Sequence, residues 1–300
     1  MPATNPPPLL RAATLILVRQ HAGELQAYLL RRSSTSGFMP GLFVFPGGLV
    51  DAADGDEAFW RDRQDLAPDT VGEQLGKGLC LSDALSHAVA AVRETFEEAG
   101  VLLASKTGPA DENLKRAGER RLADSRRHGW FRTLVETDGW TLTFSVLAPW
   151  SHWITPVGMP RRFDTRFFVA ALPEGQDGRP DMRETTEGLW VSPQQALAGN
   201  LAGRIPLSPP TLVTLQELLN YPTLNTLRKG LEGRGWGEPI FPRLVVLGKG
   251  AGSIIVEPWD SIYGREDLRI DANKLPGSLL PAGVPFSRLW NEGGIWKPVA

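Results

Sequence analysis

Apolar and polar positions divide the chain into short strands and a few helices. Residues 12–19 (AATLILVR) and 26–32 (QAYLLRR) are apolar runs flanking the polar stretch QHAGELQ, which predicts a β-hairpin. LFVFP at 42–46 is a third short run, closed by Gly47 and Gly48. From 51 to 81 the chain turns acidic, glycine-containing and weakly periodic, which predicts an irregular insertion on the surface. A strong helix follows, with Ser82 as the expected cap and Gly100 as the expected close. At about 100° per residue, Leu85, Val89, Val92, Phe96 and Ala99 share one face, and Glu94 stands on the opposite one.

Residues 111–135 predict a basic helix carrying Lys115, Arg116, Arg120, Arg121, Arg126, Arg127 and Arg132. It reads either as a solvated face or as a docking surface for an anionic substrate or partner. Strand signals return at 141–156 and 161–172, the second an alternating aromatic and β-branched run. WVSPQQALAGN predicts a strand end, a Ser192 cap, Pro193 in the first helical position and a helix. Two helical stretches in 209–232 are split at Tyr221-Pro222, and 242–258 predicts two strands. GKGAG between them lacks the phosphate-loop spacing and precedes no helix, so a hairpin turn is expected. The order is α+β: a mixed sheet with helices packed on it.

Composition narrows the class. A chain of 300 residues, 42% hydrophobic and 22% charged, reads as globular with a sizeable core. A net charge of −2 gives no global drive toward nucleic acid or an anionic membrane. One cysteine, Cys80, allows no internal disulfide and fits a reducing compartment. No targeting or spanning segment stands out, so a cytoplasmic protein is expected.

The segment RETFEEAG holds the candidate chemistry. Glu97 and Glu98 fall about 60° and 40° to either side of Glu94, so three like charges crowd one helix sector. Arg93 stands one turn before Glu97, within ion-pair reach. A cluster of carboxylate oxygens suits a hard cation such as Mg²⁺, which keeps coordination positions for water and phosphate. Such a site is suited to pyrophosphate hydrolysis.

RETFEEAG followed by Val101, with Gly47-Gly48 ahead, resembles the Nudix box, with Thr95 at the usually aliphatic position. In an uninterrupted box a glutamate stands eight residues before the arginine; here that position is Leu85, and about 30 extra residues intervene. The chain is similar to the Nudix subgroup with an interrupted box, which includes a peroxisomal coenzyme A diphosphatase. The resemblance implies a Nudix fold of α+β class, a mixed sheet between helices, over residues 10–204, with the insertion at about 51–81. Residues 205–300 are then a C-terminal helical and β-hairpin extension packed on it. It implies Mg²⁺, with Mn²⁺ as a substitute, held by Glu94, Glu97, Glu98 and the Gly47 carbonyl. Arg93 would orient the cluster. Glu184 or Glu187, ahead of Trp190, would add a ligand or general base, with Glu184 favoured. Arg32, Arg161, Arg162 and Phe163 are the substrate-binding candidates, guanidinium groups suiting phosphate. Trp150, Trp153 and Phe163 serve either adenine stacking or the core.

The partner expected is a small-molecule nucleotide, without nucleic acid or membrane, and a homodimer is left open. The first substrate is coenzyme A or acyl-CoA, cleaved to 3′,5′-ADP and 4′-phosphopantetheine. The alternatives are ADP-ribose, NADH or another dinucleotide, or a scaffold that binds a nucleotide without hydrolysing it.

Overall fold

The computed structural model describes residues 6–300 except Arg126 and Lys249. The expected hairpin is present. β1 (Leu9–His21) and β2 (Glu24–Arg32) pair antiparallel about Ala22 and Gly23, both at positive φ. β1 is the central strand, and its period of two feeds two separate cores. Ala13, Leu15 and Leu17 enter one core, and Ile16 and Val18 enter the other. β3 (Phe43–Val44) pairs with β2, and β4 (Gly47–Leu49) pairs with β1.

The segment 51–81 is not the surface irregularity its composition suggested. A 3₁₀ turn at Ala52–Gly55, α1 (Glu57–Arg61), α2 (Pro68–Val71) and a π-helical turn at Gly72–Gly76 bury Asp54, Phe59, Trp60, Val71 and Leu75. These helices are too short to display a period, which hid their apolar positions among charges. α3 (Leu81–Ala99) follows. Its N-cap is Cys80 rather than the expected Ser82, and Gly100 closes it at φ +71°. All five expected core residues of α3 are buried.

β5 (Ala104–Ser105) leads to the basic stretch, which is two helices rather than one: α4 (Ala110–Asp124) and α5 (Trp130–Asp138). Gly129, at φ +70°, sits at the break, and Arg126 lies outside the described residues. Several of the basic residues have structural uses: Arg120 pairs with Asp138 at 3.0 Å and Arg132 with Asp56 at 3.1 Å. Arg121 donates to the carbonyls of Glu97 at 2.9 Å and Glu98 at 3.3 Å, placing positive charge at the C-terminus of α3.

β6 (Thr141–Leu142), β7 (Ala148–Ile154), β8 (Arg162–Ala171) and β9 (Thr185–Val191) complete the strands of this part. β6 pairs with β5 apart from the main sheet. The seven-stranded main sheet runs β3-β2-β1-β8-β7, with β4 added to β1 and β9 to β2. β1 and β8 are parallel and their neighbours antiparallel, so the sheet is mixed. α3 packs in the first core. α6 (Pro193–Leu201), capped at Ser192, and α7 (Pro209–Leu218) pack in the second.

α8 (Leu224–Leu231) follows the Tyr221-Pro222 break. The hairpin around GKGAG, with Lys249 outside the described residues, joins β10 (Arg243–Val246) and β11 (Ser253–Val256). It is half of a larger unit. β12 (Arg288–Glu292) and β13 (Ile295–Val299) extend it to a four-stranded antiparallel sheet. RLWNEGGIWKPV carries this second hairpin signal, a glycine pair between strand-forming runs.

Candidate active site

The three glutamates are not a solvated face. Glu98 is 4% exposed, and Glu94 and Glu97 are partly buried. The positive group among them is Arg93. Its Nη1 donates to Glu94 at 2.8 Å and Glu97 at 3.2 Å, and its Nη2 donates to the Leu49 carbonyl at 2.7 Å. Its Nε and Nη2 also donate to the two carboxylate oxygens of Asp54, at 3.0 and 2.8 Å. A bidentate pair fixes the guanidinium plane, and Asp54 is 1% exposed.

Asp54 went unrecognised in the sequence. The box leaves Leu85 where a carboxylate would face the arginine, and the acid arrives instead from the start of the inserted segment. The signal was its nearness to Gly48, read forward from the glycine pair rather than back from Arg93.

The glycine pair has a steric reason. A Cβ on Gly48 would lie 2.5–2.7 Å from the Glu94 carboxylate. A Cβ on Gly47 would lie 2.5 Å from the Ala13 carbonyl and 2.7 Å from Thr14 Cα. Only glycine permits both approaches. Thr14 stands opposite Gly47, while the neighbouring bond runs from Leu15 N–H to the Pro46 carbonyl. Gly47 thus belongs to a non-hydrogen-bonded pair, and its N–H and C=O turn away from β1. The N–H donates to Glu98 Oε2 at 3.0 Å.

Burial pushes all three carboxyls upward, Glu94 to about 8. Glu94 adds like-charge repulsion to Glu98, while Arg93 offsets part of the burial cost at Glu94 and Glu97. Trp130 Nε1 donates to Glu97 Oε1. Among the described residues no ready-made cage of three ligands has formed. Glu94 and Glu97 are turned to Arg93, and Glu98 to Gly47.

The carboxylates open onto a cleft of about 510 Å³, a size typical of small-molecule sites. Of the remaining candidates, Gly47, Arg32, Arg161, Phe163 and Glu184 line it. A register shift between Arg31 and Arg32 in the β2–β9 pairing falls where Arg32 meets the cleft. Phe163 meets Phe38 edge-on at 4.9 Å, with the Arg161 guanidinium 5.6 Å from its ring. Glu187 instead lies within β9 and pairs with Arg31 at 3.6 Å.

Arg162 does not fit its expected substrate role. It is 7% exposed, its Nε donates to the Thr155 carbonyl at 3.1 Å, and it is absent from the cleft wall. Strand alternation accounts for this, since Phe163, Thr165 and Phe167 take the cleft face and Arg162 the other. Trp153 lines the cleft, whereas Trp150 is a core residue under Arg234. His152 finds its partner in Asp164, at 2.7 Å.

The fold agrees with the comparisons. The sequence model of the NUDT19 Nudix domain matches residues 9–218, and the chain belongs to that Nudix family. It is 31% identical to the acyl-coenzyme A diphosphatase NUDT19 of Gallus gallus, over 89% of this chain and 82% of that protein. The Homo sapiens protein of the same name is also 31% identical, over 96% of this chain and 83% of its own length. A solved NUDIX hydrolase from Alicyclobacillus acidocaldarius superposes with a TM-score of 0.58 at 26% identity, covering 74% of this chain and 96% of that one.

Proposed function

We infer that the chain is a divalent-metal-dependent diphosphatase that cleaves coenzyme A or acyl-CoA to 3′,5′-ADP and the corresponding 4′-phosphopantetheine. One observation carries the reading. Three crowded carboxylates, one buried and two partly buried, open onto a cleft that also offers two arginines and an aromatic wall. The names of the relatives point to the same substrate class.

The donor set fits a hard cation: carboxylate oxygens of Glu94, Glu97 and Glu98, with the Gly47 carbonyl beside them. Crowding three carboxylates in a buried sector costs stability that a cation would offset. A bound Mg²⁺ would neutralise diphosphate charge and make a bound water a stronger nucleophile. Arg93, locked by Asp54, holds Glu94 and Glu97 in place. Arg32 and Arg161 bind the phosphates as charge-assisted donors. Phe163 offers its ring to the base. Glu184, on the cleft wall, accepts the proton of the attacking water as the P–O bond of the diphosphate breaks.

Incubating the protein with CoA, acyl-CoA, ADP-ribose and NADH, with and without Mg²⁺, tests this. The reading predicts metal-dependent release of 3′,5′-ADP from the CoA substrates at the highest kcat/KM of the panel. Turnover confined to ADP-ribose or NADH would reassign the substrate. Absence of turnover with any of them in Mg²⁺ or Mn²⁺ would leave a binding scaffold.

A further inference from the structure

The cleft is lined by apolar residues from Phe38 to Trp296, but its charges come from one part of the chain. Every charged residue that lines it lies at or before Glu184: Arg32, Asp51, Arg93, the three glutamates, Arg161 and Glu184 itself. Beyond the family match that ends at residue 218, the lining consists of Pro242, Leu244, Ile255 and Trp296, all apolar. Leu244 and Ile255 are directly opposed across β10 and β11, so they present one continuous patch. Ile255 and Trp296 share a core cluster with Trp153 and Phe167 of the cleft. The C-terminal sheet is therefore seated on the site.

An uncharged, mainly apolar surface, whose one side-chain donor is the Trp296 indole N–H, gains little from a phosphate or a ribose, whose polar groups it would strip of water. It gains from an uncharged, largely aliphatic arm. The charged residues fix the diphosphate. The molecule that uses both is a diphosphate carrying a long apolar substituent on one side.

We propose that the C-terminal sheet forms the subsite for the acylated pantetheine arm of the substrate, with Leu244 as a specificity-determining residue. This rests on the coenzyme A reading above. The subsite acts through binding: it selects the acyl chain and leaves the chemistry at the carboxylates unchanged.

The test is kcat/KM for wild type and Leu244→Trp on CoA, a medium-chain acyl-CoA and a long-chain acyl-CoA, with ADP-ribose as a diphosphate that has no such arm. Tryptophan fills the wall. It should lower kcat/KM for the acyl esters by about tenfold or more, through KM, the scale of a small volume change in an apolar pocket. Any ADP-ribose turnover should stay within about twofold, since the diphosphate contacts are untouched, and CoA, which carries the arm without an acyl chain, should lose less than its esters. Leu244→Ala, which only removes volume, serves if tryptophan is not tolerated, and should shift preference toward longer chains. Parallel changes on all substrates, or no change on any, overturn the subsite. Hydrolysis of ADP-ribose with none of CoA or its esters overturns the coenzyme A reading itself, and the subsite with it. Wild-type turnover of CoA and its esters at equal kcat/KM overturns the subsite alone.

Discussion

Arg93 is clasped by Asp54, which lies 39 residues earlier in the chain. The two nitrogens donate in parallel to the two oxygens, and the same guanidinium reaches Glu94 and Glu97. The orientation of the carboxylate face is thus set from inside the inserted segment. Asp54→Asn keeps the shape and removes the charge, leaving a buried guanidinium short of its partner. Losing one member of a buried pair costs about 3–5 kcal/mol. Losing an orienting partner of a metal site lowers activity by about 10–100-fold. Denaturant unfolding and kcat together check this. Wild-type values for both would remove the orienting role.

Gly47 and Gly48 separate fold from chemistry. At Gly48 the added Cβ meets only the end of the Glu94 side chain, which can swing aside. Gly48→Ala should leave stability within about 1 kcal/mol while lowering kcat through a displaced Glu94. At Gly47 the clash is with the backbone of Ala13 and Thr14. Gly47→Ala should lower the melting temperature as well. Equal stability losses in the two variants would show that the Glu94 approach is not the constraint.

Glu184 lines the cleft, and Glu187 is tied to Arg31 on β2. For a general base the expected loss is about 10²–10⁴-fold in kcat. Glu184→Gln should show it, with Glu187→Gln near wild type. The reverse ranking would move the base to Glu187.

Glu257, just after β11, is fully buried, and neither carboxylate oxygen has a partner among the described residues. Burial pushes its carboxyl up to about 8. The folded protein therefore holds this proton where the unfolded chain, with an ordinary value near 4.5, releases it. The group's contribution is fully present below about pH 4.5 and is lost as pH rises through about 8. Glu257→Gln should match wild type at pH 4.5 and exceed it by about 4 kcal/mol at pH 8. A pH-independent difference between the two would contradict the buried, protonated state.

The legible parts of the sequence were those governed by local periodicity. α3 shows its core stripe, its terminal glycine and its carboxylate sector within a single helix. The β1–β2 hairpin and the α6 start announce themselves through turn and cap residues. What stayed hidden depends on distant or alternating partners. Asp54 is one acid among several until Arg93 is seen beside it. Trp60 and Val71 lie in helices too short to show a face. Arg161 and Arg162 are identical in composition, and only the start of β8 decides which one meets the cleft. The contribution of Leu244 and Trp296 to the site is a tertiary contact between distant segments, invisible to local pattern.

The most direct test of the central claim is kcat for Glu98→Gln across a Mg²⁺ titration, on whichever diphosphate the wild type turns over fastest. Glu98 touches the Gly47 N–H and carries no ion pair among the described residues, so glutamine preserves size while removing the charge. The account predicts a folded variant with kcat lowered by at least about 10²-fold at saturating Mg²⁺. Near wild-type turnover at saturating Mg²⁺, or wild-type turnover that needs no divalent metal, would contradict it.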